Sequence, residues 1–162
     1  MRITRATTAQ ARRQASWIVA QEPWLGLGYR EAPLGRWIAR QAGRGLVRLA
    51  VESGQIVAII VTQPDVLLGH FVALLAVTPA AAGRGVGRAL VQDAAARAAS
   101  GRGQGGKTPG RKVKVRWLYT STDTGNRSAA AFYRKLGFVR VGRLPDLVRV
   151  GSTEILWRLA LS

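Results

Sequence analysis

The stretch from His70 to Ser100 constrains the fold most, because it joins a strand, a turn and a helix without interruption. An unbroken apolar run from Phe71 to Val77 predicts a strand that is buried on both faces. A glycine-rich turn follows this strand. The next segment predicts a helix, because apolar residues recur at every fourth position and share one face: Val86, Leu90, Ala94 and Ala98. We therefore expect strand, turn and helix in direct succession.

The start of this helix is suited to binding an anion. Backbone N–H groups in a first helical turn lack intrahelical partners, and the helix dipole is positive there. Gly83, Gly85 and Gly87 carry no Cβ atoms that would keep a phosphate away from the backbone. Arg84 and Arg88 add two positive charges beside these glycines. The turn therefore predicts a phosphate or pyrophosphate site, with a ligand-free strand-to-helix connection as the alternative.

Spacing excludes two other kinds of phosphate-binding loop. No glycine-lysine-serine/threonine sequence ends the turn, as a nucleoside-triphosphate loop requires. No acidic residue follows about 20 positions later, as a dinucleotide-binding fold requires. A different phosphate-bearing ligand is needed.

The stretch NRSAAAFYRKLGF, residues 126–138, predicts a short amphipathic helix. Gly137 stands where a left-handed C-terminal cap is expected. The periodicity predicts that Phe132 and Leu136 lie in the core. Tyr133 carries a hydroxyl that could donate a proton, although the same position also suits a core tyrosine with a satisfied hydroxyl.

Two stretches, VTPAAAGRGVGRALV and NRSAAAFYRKLGF, in this order and separation, resemble the GNAT superfamily of acetyl-CoA-dependent N-acetyltransferases. The first is similar to the family's pyrophosphate turn: glutamine or arginine, two residues, glycine, one residue, glycine or alanine. The second is similar to its asparagine-to-tyrosine helix. The resemblance runs from about Leu46 to the end of the chain. It implies an α/β fold of the α+β type, with a mixed, mostly antiparallel central sheet, flanking helices and a V-shaped splay between the fourth and fifth strands.

The resemblance implies acetyl-CoA as cosubstrate and assigns a role to each matching residue. The backbone at the end of the fourth strand would pair with the pantetheine arm: Leu75, Ala76 and Val77. Backbone N–H groups of the turn would hold the pyrophosphate: Gly83, Arg84, Gly85, Val86, Gly87 and Arg88. Asn126 would contact the cofactor arm, and Tyr133 would protonate the departing thiolate. One position departs from the family pattern, because Ala82 replaces the leading glutamine or arginine.

The general base is open. Many family members place a glutamate or histidine at the positions of Phe71 or Ala73, and some place a glutamate at the position of Ser121. None of these three side chains can act as a base. The remaining candidates are one histidine and two glutamates: His70, Glu154 and Glu31. A base working through water, or none, is the alternative.

Each base candidate also has a plain structural interpretation. Strand alternation points His70 away from Phe71 and Ala73 unless a bulge intervenes. Glu154 opens the last strand near the acceptor side, and Glu31 lies in the variable wall of the acceptor cleft. Each of the three side chains could also be an exposed polar residue without a catalytic role.

The N-terminal segment predicts an edge strand over Arg2 to Arg5 and a helix from Thr7 or Thr8 through Ala20. A second helix is predicted from about Ala32 to Gly43. The resemblance makes Trp24 and Tyr29 candidate acceptor contacts. They could equally be aromatic residues that pack a loop onto the core.

The other predicted elements are strands and one loop. A hairpin around Ser53-Gly54 joins two predicted strands, Leu46 to Glu52 and Gln55 to Thr62. Gln63-Pro64-Asp65 ends the second of these strands. Residues 101–112 are glycine-rich and basic, which predicts a mobile surface loop. The predicted strands are Leu46 to Glu52, Gln55 to Thr62, His70 to Val77, Val113 to Thr122, Val139 to Arg143 and Ile155 to Leu161.

Composition limits the compartment and the partners. The 162 residues suit one domain, 1–162, and contain no cysteine, no secretory segment and no apolar run long enough for a membrane. We expect a cytoplasmic protein without disulfides or a bound metal. The 25 Lys and Arg against 8 Asp and Glu give a net charge of +17, which attracts polyanions such as CoA. No nucleic-acid motif accompanies the scattered arginines, and clustered carboxylates for a polyamine are hard to assemble.

The predicted function is transfer of acetyl from acetyl-CoA to a primary amine of a small molecule, peptide or protein, within a ternary complex. The first alternative is a non-catalytic acyl-CoA-binding module whose basic surface binds an acidic partner. Another alternative is acetylation of a ribosomal or other protein N-terminus. A homodimer is also open, because dimers are common in the family.

Overall fold

The computed structural model describes residues 1–100, 107–108, 111–112 and 115–162. Its residues group into two compact units, the first formed by residues 1–62 and 74–93 and the second by residues 63–73 and 94–162. The single domain stays a prediction. The strands are β1 (Arg2–Arg5), β2 (Val47–Glu52), β3 (Gln55–Val66), β4 (Gly69–Val77), β5 (Lys107–Thr108), β6 (Arg111–Lys112), β7 (Trp117–Asp123), β8 (Val139–Pro145) and β9 (Thr153–Ala160). The helices are α1 (Thr8–Arg13), α2 (Ala15–Val19), α3 (Glu31–Gly43), α4 (Val86–Ala99) and α5 (Arg127–Lys135).

Seven strands form one sheet in the order β1-β2-β3-β4-β7-β9-β8. The β1-β2, β2-β3, β7-β9 and β8-β9 pairs are antiparallel, whereas β4 and β7 run parallel. The parallel pairs are His70–Leu118 and Phe71–Tyr119. At the next position the Thr120 hydroxyl donates to the Val72 carbonyl at 3.2 Å. The mixed, mostly antiparallel sheet with flanking helices is confirmed.

The first unit contains the N-terminal helices and the glycine turn. α1 and α2 pack on α3, and α3 contacts β2. Thr7 caps α1 through a capping box with Gln10, in which each side chain bonds the other's backbone N–H at 3.1 Å. The apolar core of this unit is fully buried at its centre: Ile18, Ile38, Leu49, Ile59 and Val61.

The predicted single helix through Ala20 is wrong, because the helix is interrupted at Gln14. The buried Gln14 side-chain amide donates to the Gln10 carbonyl at 2.7 Å. The Gln14 backbone N–H bonds the Ala11 carbonyl instead, at 3.1 Å. The side chain thus takes the acceptor that an unbroken α-helix would give to the backbone.

The strand predicted to end at Gln63-Pro64-Asp65 continues to Val66. Pro64 lacks an N–H but keeps its carbonyl, so it can remain in a strand where its nitrogen needs no partner. The chain reverses at Leu67 and Leu68, whose φ angles are 50° and 59°. The other hairpin, at Ser53-Gly54, is confirmed, with φ angles of 47° and 79°.

In the second unit, α5 buries the tyrosine for which the sequence left a core position open, and it does not fully bury the two residues predicted for the core. Tyr133 is buried, whereas Phe132 and Leu136 are half-buried. Gly137 has a φ of +89°, so the predicted left-handed position at the helix end is confirmed.

The region between α4 and β7 is only partly described. Of the predicted loop 101–112, residues 101–106 and 109–110 lie outside the described residues, while β5 and β6 pair antiparallel. Residues 113–114 of the predicted fifth strand also lie outside them, and β7 begins at Trp117. In the part of the chain that the structure describes, no helix is long and apolar enough to cross a membrane.

Candidate active site

The glycine turn of the first unit opens α4 as predicted. A single 3-10 turn, Pro79–Ala81, follows β4, and α4 begins at Val86. Gly83 and Gly85 have φ angles of +75° and +82°, and a Cβ atom at either glycine would meet nothing within 4 Å. Left-handed residues in a turn can direct neighbouring backbone N–H groups towards one side, which makes an anion-binding concavity. The turn therefore leaves open space where an anion could reach its N–H groups.

Both arginines of the turn, Arg84 and Arg88, are exposed. Arg84 forms an ion pair with Glu52, with 2.9 Å between Arg84 Nη2 and Glu52 Oε2. Arg88 projects from the first turn of α4. Ala82, at the leading motif position, is exposed and contributes no charge. Positive charge at the turn thus comes from Arg84, Arg88 and the helix dipole.

The end of β4 lies in the same unit as the turn. Ala76 is buried, and its neighbours Leu75 and Val77 are half-buried. The Thr78 N–H donates to the Val57 carbonyl at 2.9 Å, which anchors the end of β4 to β3. Pairing with a pantetheine arm stays a prediction for these three residues.

Asn126, the predicted cofactor contact, has a structural role in the second unit. Its Oδ1 accepts a hydrogen bond from the Ala129 N–H at 3.0 Å, so Asn126 is the N-cap of α5. This bond uses the carbonyl of the amide and leaves its NH₂ group for other partners.

Tyr133 packs between two phenylalanines. Its ring lies 5.0 Å from Phe132 and 5.2 Å from Phe138, both in edge-to-face geometry. Burial raises the pKa of Tyr133 to about 12, and the hydroxyl of Thr120 opposes this shift. The phenol is therefore protonated at neutral pH.

The strand register assigns Tyr133 to one face of the second unit's sheet. Thr120 pairs directly with Trp157, so both side chains lie on the same face. Arg134 of α5 lies 5.5 Å from the centre of the Trp157 ring. α5 and Tyr133 therefore cover the Thr120 face.

Glu154 lies on the opposite face. It pairs directly with Asp123, and Ser121 shares that face because side chains alternate along β7. Glu154 is buried, and burial raises the pKa of its carboxyl above 4.5. A hydrogen bond from the Ser121 hydroxyl opposes the shift, and the Asp123 carboxylate adds to it. A carboxylate with a raised pKa is a stronger base than an exposed one.

His70 lies on the Tyr133 face, away from Glu154. It pairs with Leu118, which shares a face with Thr120, whereas Phe71 pairs with Tyr119 on the Glu154 face. Burial alternates without a break from His70 to Val77. His70 is buried, and among the residues that the structure describes its Nε2 has no hydrogen-bond partner. Burial lowers its pKa below 6.5, and the Asp65 carboxylate opposes this shift.

This buried imidazole predicts a loss of stability in mild acid. Because the folded-state pKa is below 6.5, the unfolded chain binds more protons between the two values, so the free energy of unfolding falls as the pH drops below 6.5. We expect the loss between pH 7.5 and pH 5, measured by urea unfolding, to be smaller in His70→Gln. The chain has one histidine, so no other imidazole contributes. Equal losses in both proteins would contradict this assignment.

The remaining site candidates lie in the first unit. Glu31 is exposed in the first turn of α3, where a negative charge stabilises the helix dipole. Trp24 is half-buried and packs against the core, which favours its structural interpretation. Tyr29 is 44% exposed and remains available for a ligand.

The sequence reasoning missed three neighbours of these residues: Thr120, Asp123 and Glu52. Alternation along β7 separates Thr120 from Asp123, but only the register with β9 shows which residues face Tyr133 and which face Glu154. Nothing local in the sequence connects Glu52 with Arg84.

Comparison with known proteins gives one family and many structural neighbours. A family model described as an acetyltransferase (GNAT) domain matches residues 37–140. No curated protein sequence gives a significant match.

Solved structures share this fold at low sequence identity. The ribosomal-protein-S18-alanine N-acetyltransferase from Escherichia coli is 21% identical, with a TM-score of 0.71, and the match covers 99% of this chain and 94% of that chain. The ribosomal-protein-alanine N-acetyltransferase from Brucella melitensis is 19% identical, with a TM-score of 0.73, and the match covers 99% and 100%. A putative streptothricin acetyltransferase from Bacillus anthracis, in complex with acetyl coenzyme A, is 22% identical, with a TM-score of 0.59, and the match covers 72% and 62%. Identities this low indicate a common fold only.

Proposed function

Because this chain belongs to the GNAT family of acetyltransferases, we propose that it transfers an acetyl group from acetyl-CoA to a primary amine within a ternary complex. The observation that carries the proposal is the turn before α4, where two left-handed glycines leave open space beside a helix N-terminus. Such a turn can accept the CoA diphosphate on backbone N–H groups from Gly83 to Arg88. The cofactor supplies an acetyl group activated as a thioester.

The chain's own residues would handle the protons of this transfer. The amine nitrogen attacks the thioester carbonyl, the carbon–sulfur bond breaks, and the nitrogen loses one proton. Backbone N–H near Val77 would polarise the carbonyl, and Tyr133 would donate to the departing sulfur. A phenol with a pKa of about 12 is a weaker acid than a thiol near 8.5, so complete proton transfer to a free thiolate would cost about 5 kcal/mol. Tyr133 therefore acts first as a hydrogen-bond donor that stabilises the charge developing on sulfur.

Among the three base candidates we propose Glu154. It shares a face with Ser121, a position where some family members carry a glutamate, and it is buried with a raised pKa. His70 lies on the opposite face of the sheet, and Glu31 is exposed. The proposed base, Glu154, and the proposed acid, Tyr133, lie on opposite faces of the second unit's sheet.

Charge removal at each candidate tests this assignment. We expect Glu154→Gln to lower kcat/KM about tenfold and to remove the acid limb of its pH profile. That limb exists because a base acts only when deprotonated, so kcat/KM rises with pH through the raised pKa of Glu154. Glu31→Gln and His70→Gln should stay within about twofold of the parent. A larger loss in either of these variants than in Glu154→Gln would contradict the assignment.

The acceptor is proposed as a primary amine of a small molecule or of a peptide or protein N-terminus. Two structural neighbours act on ribosomal protein alanine, which favours including peptide N-termini among the candidates. The test is release of free CoA across a panel of amines, amino acids and peptides. CoA release with at least one acceptor supports an enzyme. Binding of acetyl-CoA without release on any acceptor favours the alternative of a non-catalytic acyl-CoA-binding module. Ala82 and the missing base residues at Phe71, Ala73 and Ser121 motivate this alternative.

Location and oligomeric state complete the proposal. A cytoplasmic location is proposed from the composition, which includes no cysteine. A homodimer also remains a proposal, and sedimentation of the full chain would test it.

A further inference from the structure

The basic side chain at the centre of the glycine turn is already paired. Arg84 Nη2 lies 2.9 Å from Glu52 Oε2, and the two side chains are 57% and 21% exposed. Glu52 is the last residue of β2, immediately before the Ser53-Gly54 turn. Both partners and the glycine turn belong to the first unit. The guanidinium that is expected to attract a bound anion thus already has a carboxylate partner.

The neighbouring residues make this pair important for the turn. Arg84 lies between Gly83 and Gly85, so its backbone is part of the turn and its guanidinium can reach no farther from the turn than one side-chain length. Ala82 gives the turn no other side-chain charge on that side. A diphosphate bound at this turn would gain from Arg84 and be repelled by Glu52. The net attraction depends on how the two anions share one guanidinium.

We propose that Glu52 competes with the cofactor diphosphate for Arg84, which weakens CoA binding and speeds the release of CoA after transfer. This inference rests on the proposed function, because it requires CoA to bind at this turn. Arg84 has five N–H donors, so it can contact a phosphate without leaving Glu52, but its charge is then divided between two anions. Glu52 is therefore a residue that sets cofactor affinity, without contacting the reacting atoms.

Glu52→Gln separates competition from simple positioning. The glutamine amide has the same size and can still accept a hydrogen bond from Arg84, so the orientation of the guanidinium is kept while the competing charge is removed. Competition predicts about three- to tenfold tighter binding of CoA, with most of the change in a slower dissociation rate. If Glu52 only positioned Arg84, the variant would bind CoA equally well or more weakly, and that result would overturn the inference.

The experiment measures the Kd of CoA and of 3′-dephospho-CoA for the full chain, Glu52→Gln and Glu22→Gln. Glu22→Gln is the matched control, because it removes the same charge from an exposed acid elsewhere in the first unit. We expect Glu52→Gln to bind both ligands more tightly, Glu22→Gln to match the parent, and the gain to shrink at high salt. Thermal melting of each variant verifies that it is folded.

Each of the other possible outcomes overturns one specific claim of this inference or of the proposed function. Tighter binding of CoA but not of 3′-dephospho-CoA would overturn the diphosphate as the competitor. An equal gain in Glu22→Gln would reduce the effect to net charge and overturn the role of Glu52. Equal CoA affinity in parent and Glu52→Gln would overturn this inference alone, whereas no CoA binding to any of the folded proteins would overturn the proposed function with it.

Discussion

Tyr133→Phe is expected to lower kcat roughly 100-fold or more, while the Kd of acetyl-CoA changes by less than about threefold. The variant removes only the hydroxyl that would donate to the departing sulfur. The aromatic ring stays between Phe132 and Phe138, at centroid distances of 5.0 and 5.2 Å, so the packing of α5 is preserved. An interaction that strengthens only in the transition state lowers kcat without weakening ground-state binding. Steady-state kinetics and calorimetric titration measure the two quantities separately.

Tyr119→Phe is the matched control for this variant. Tyr119 is also 6% exposed and lies in the same unit, but its hydroxyl is directed to the Leu67 carbonyl at 3.5 Å. The kcat of Tyr119→Phe should stay within about twofold of the parent value. If both variants lose activity equally, or if Tyr133→Phe loses none, Tyr133 is a packing residue and does not stabilise the departing sulfur.

Gly85→Asn is expected to weaken CoA binding by about 2 kcal/mol, which is roughly a 30-fold increase in Kd. Gly85 has a φ of +82°, a conformation that asparagine tolerates better than other side chains. The added side chain meets nothing within 4 Å at its Cβ, so the fold should accept it. It would occupy the space in which a diphosphate approaches the backbone N–H groups.

Gly151→Asn controls for the cost of a side chain at positive φ. Gly151 has a φ of +83° and equally open surroundings, but it lies between β8 and β9 in the other unit. We expect the melting temperature of Gly151→Asn to fall as much as that of Gly85→Asn. The Kd of Gly151→Asn for CoA should equal that of the parent. Equal CoA affinity in the two variants would contradict diphosphate binding at the turn.

The sequence predicted best those features that depend on neighbouring residues. Apolar residues at every fourth position identified the buried face of α4, and all four are at most 6% exposed: Val86, Leu90, Ala94 and Ala98. The Ser53-Gly54 hairpin depends on the φ angles of two adjacent residues, and it was also predicted correctly.

Features that depend on one particular side-chain contact, or on how elements pack together, were not predictable. Gln14 interrupts the first helix because its side chain finds the Gln10 carbonyl and accepts from Trp17 Nε1, at 2.7 and 2.9 Å. Tyr133, rather than Phe132, became the buried aromatic of α5, because the packing of the helix on the sheet decides which edge of its apolar face is covered. Helical periodicity defines a face to within about one residue and cannot make that choice.

The candidate base shows the same limit. Glu154 was one of three candidates, and no local pattern distinguished it from the other two. The β7-β9 register places it opposite Asp123 and on the face of Ser121, which is why its pKa is raised. Residues 31 positions apart in the chain thus determine the environment of this carboxylate, and the sequence carries no spacing rule for that distance.

Calorimetric titration of the full chain with CoA tests most directly whether the turn before α4 binds a diphosphate. The predicted result is one-to-one binding with a Kd of about micromolar order, together with a melting temperature that rises as CoA exceeds the Kd. Absence of binding heat and an unchanged melting temperature at millimolar CoA would contradict it.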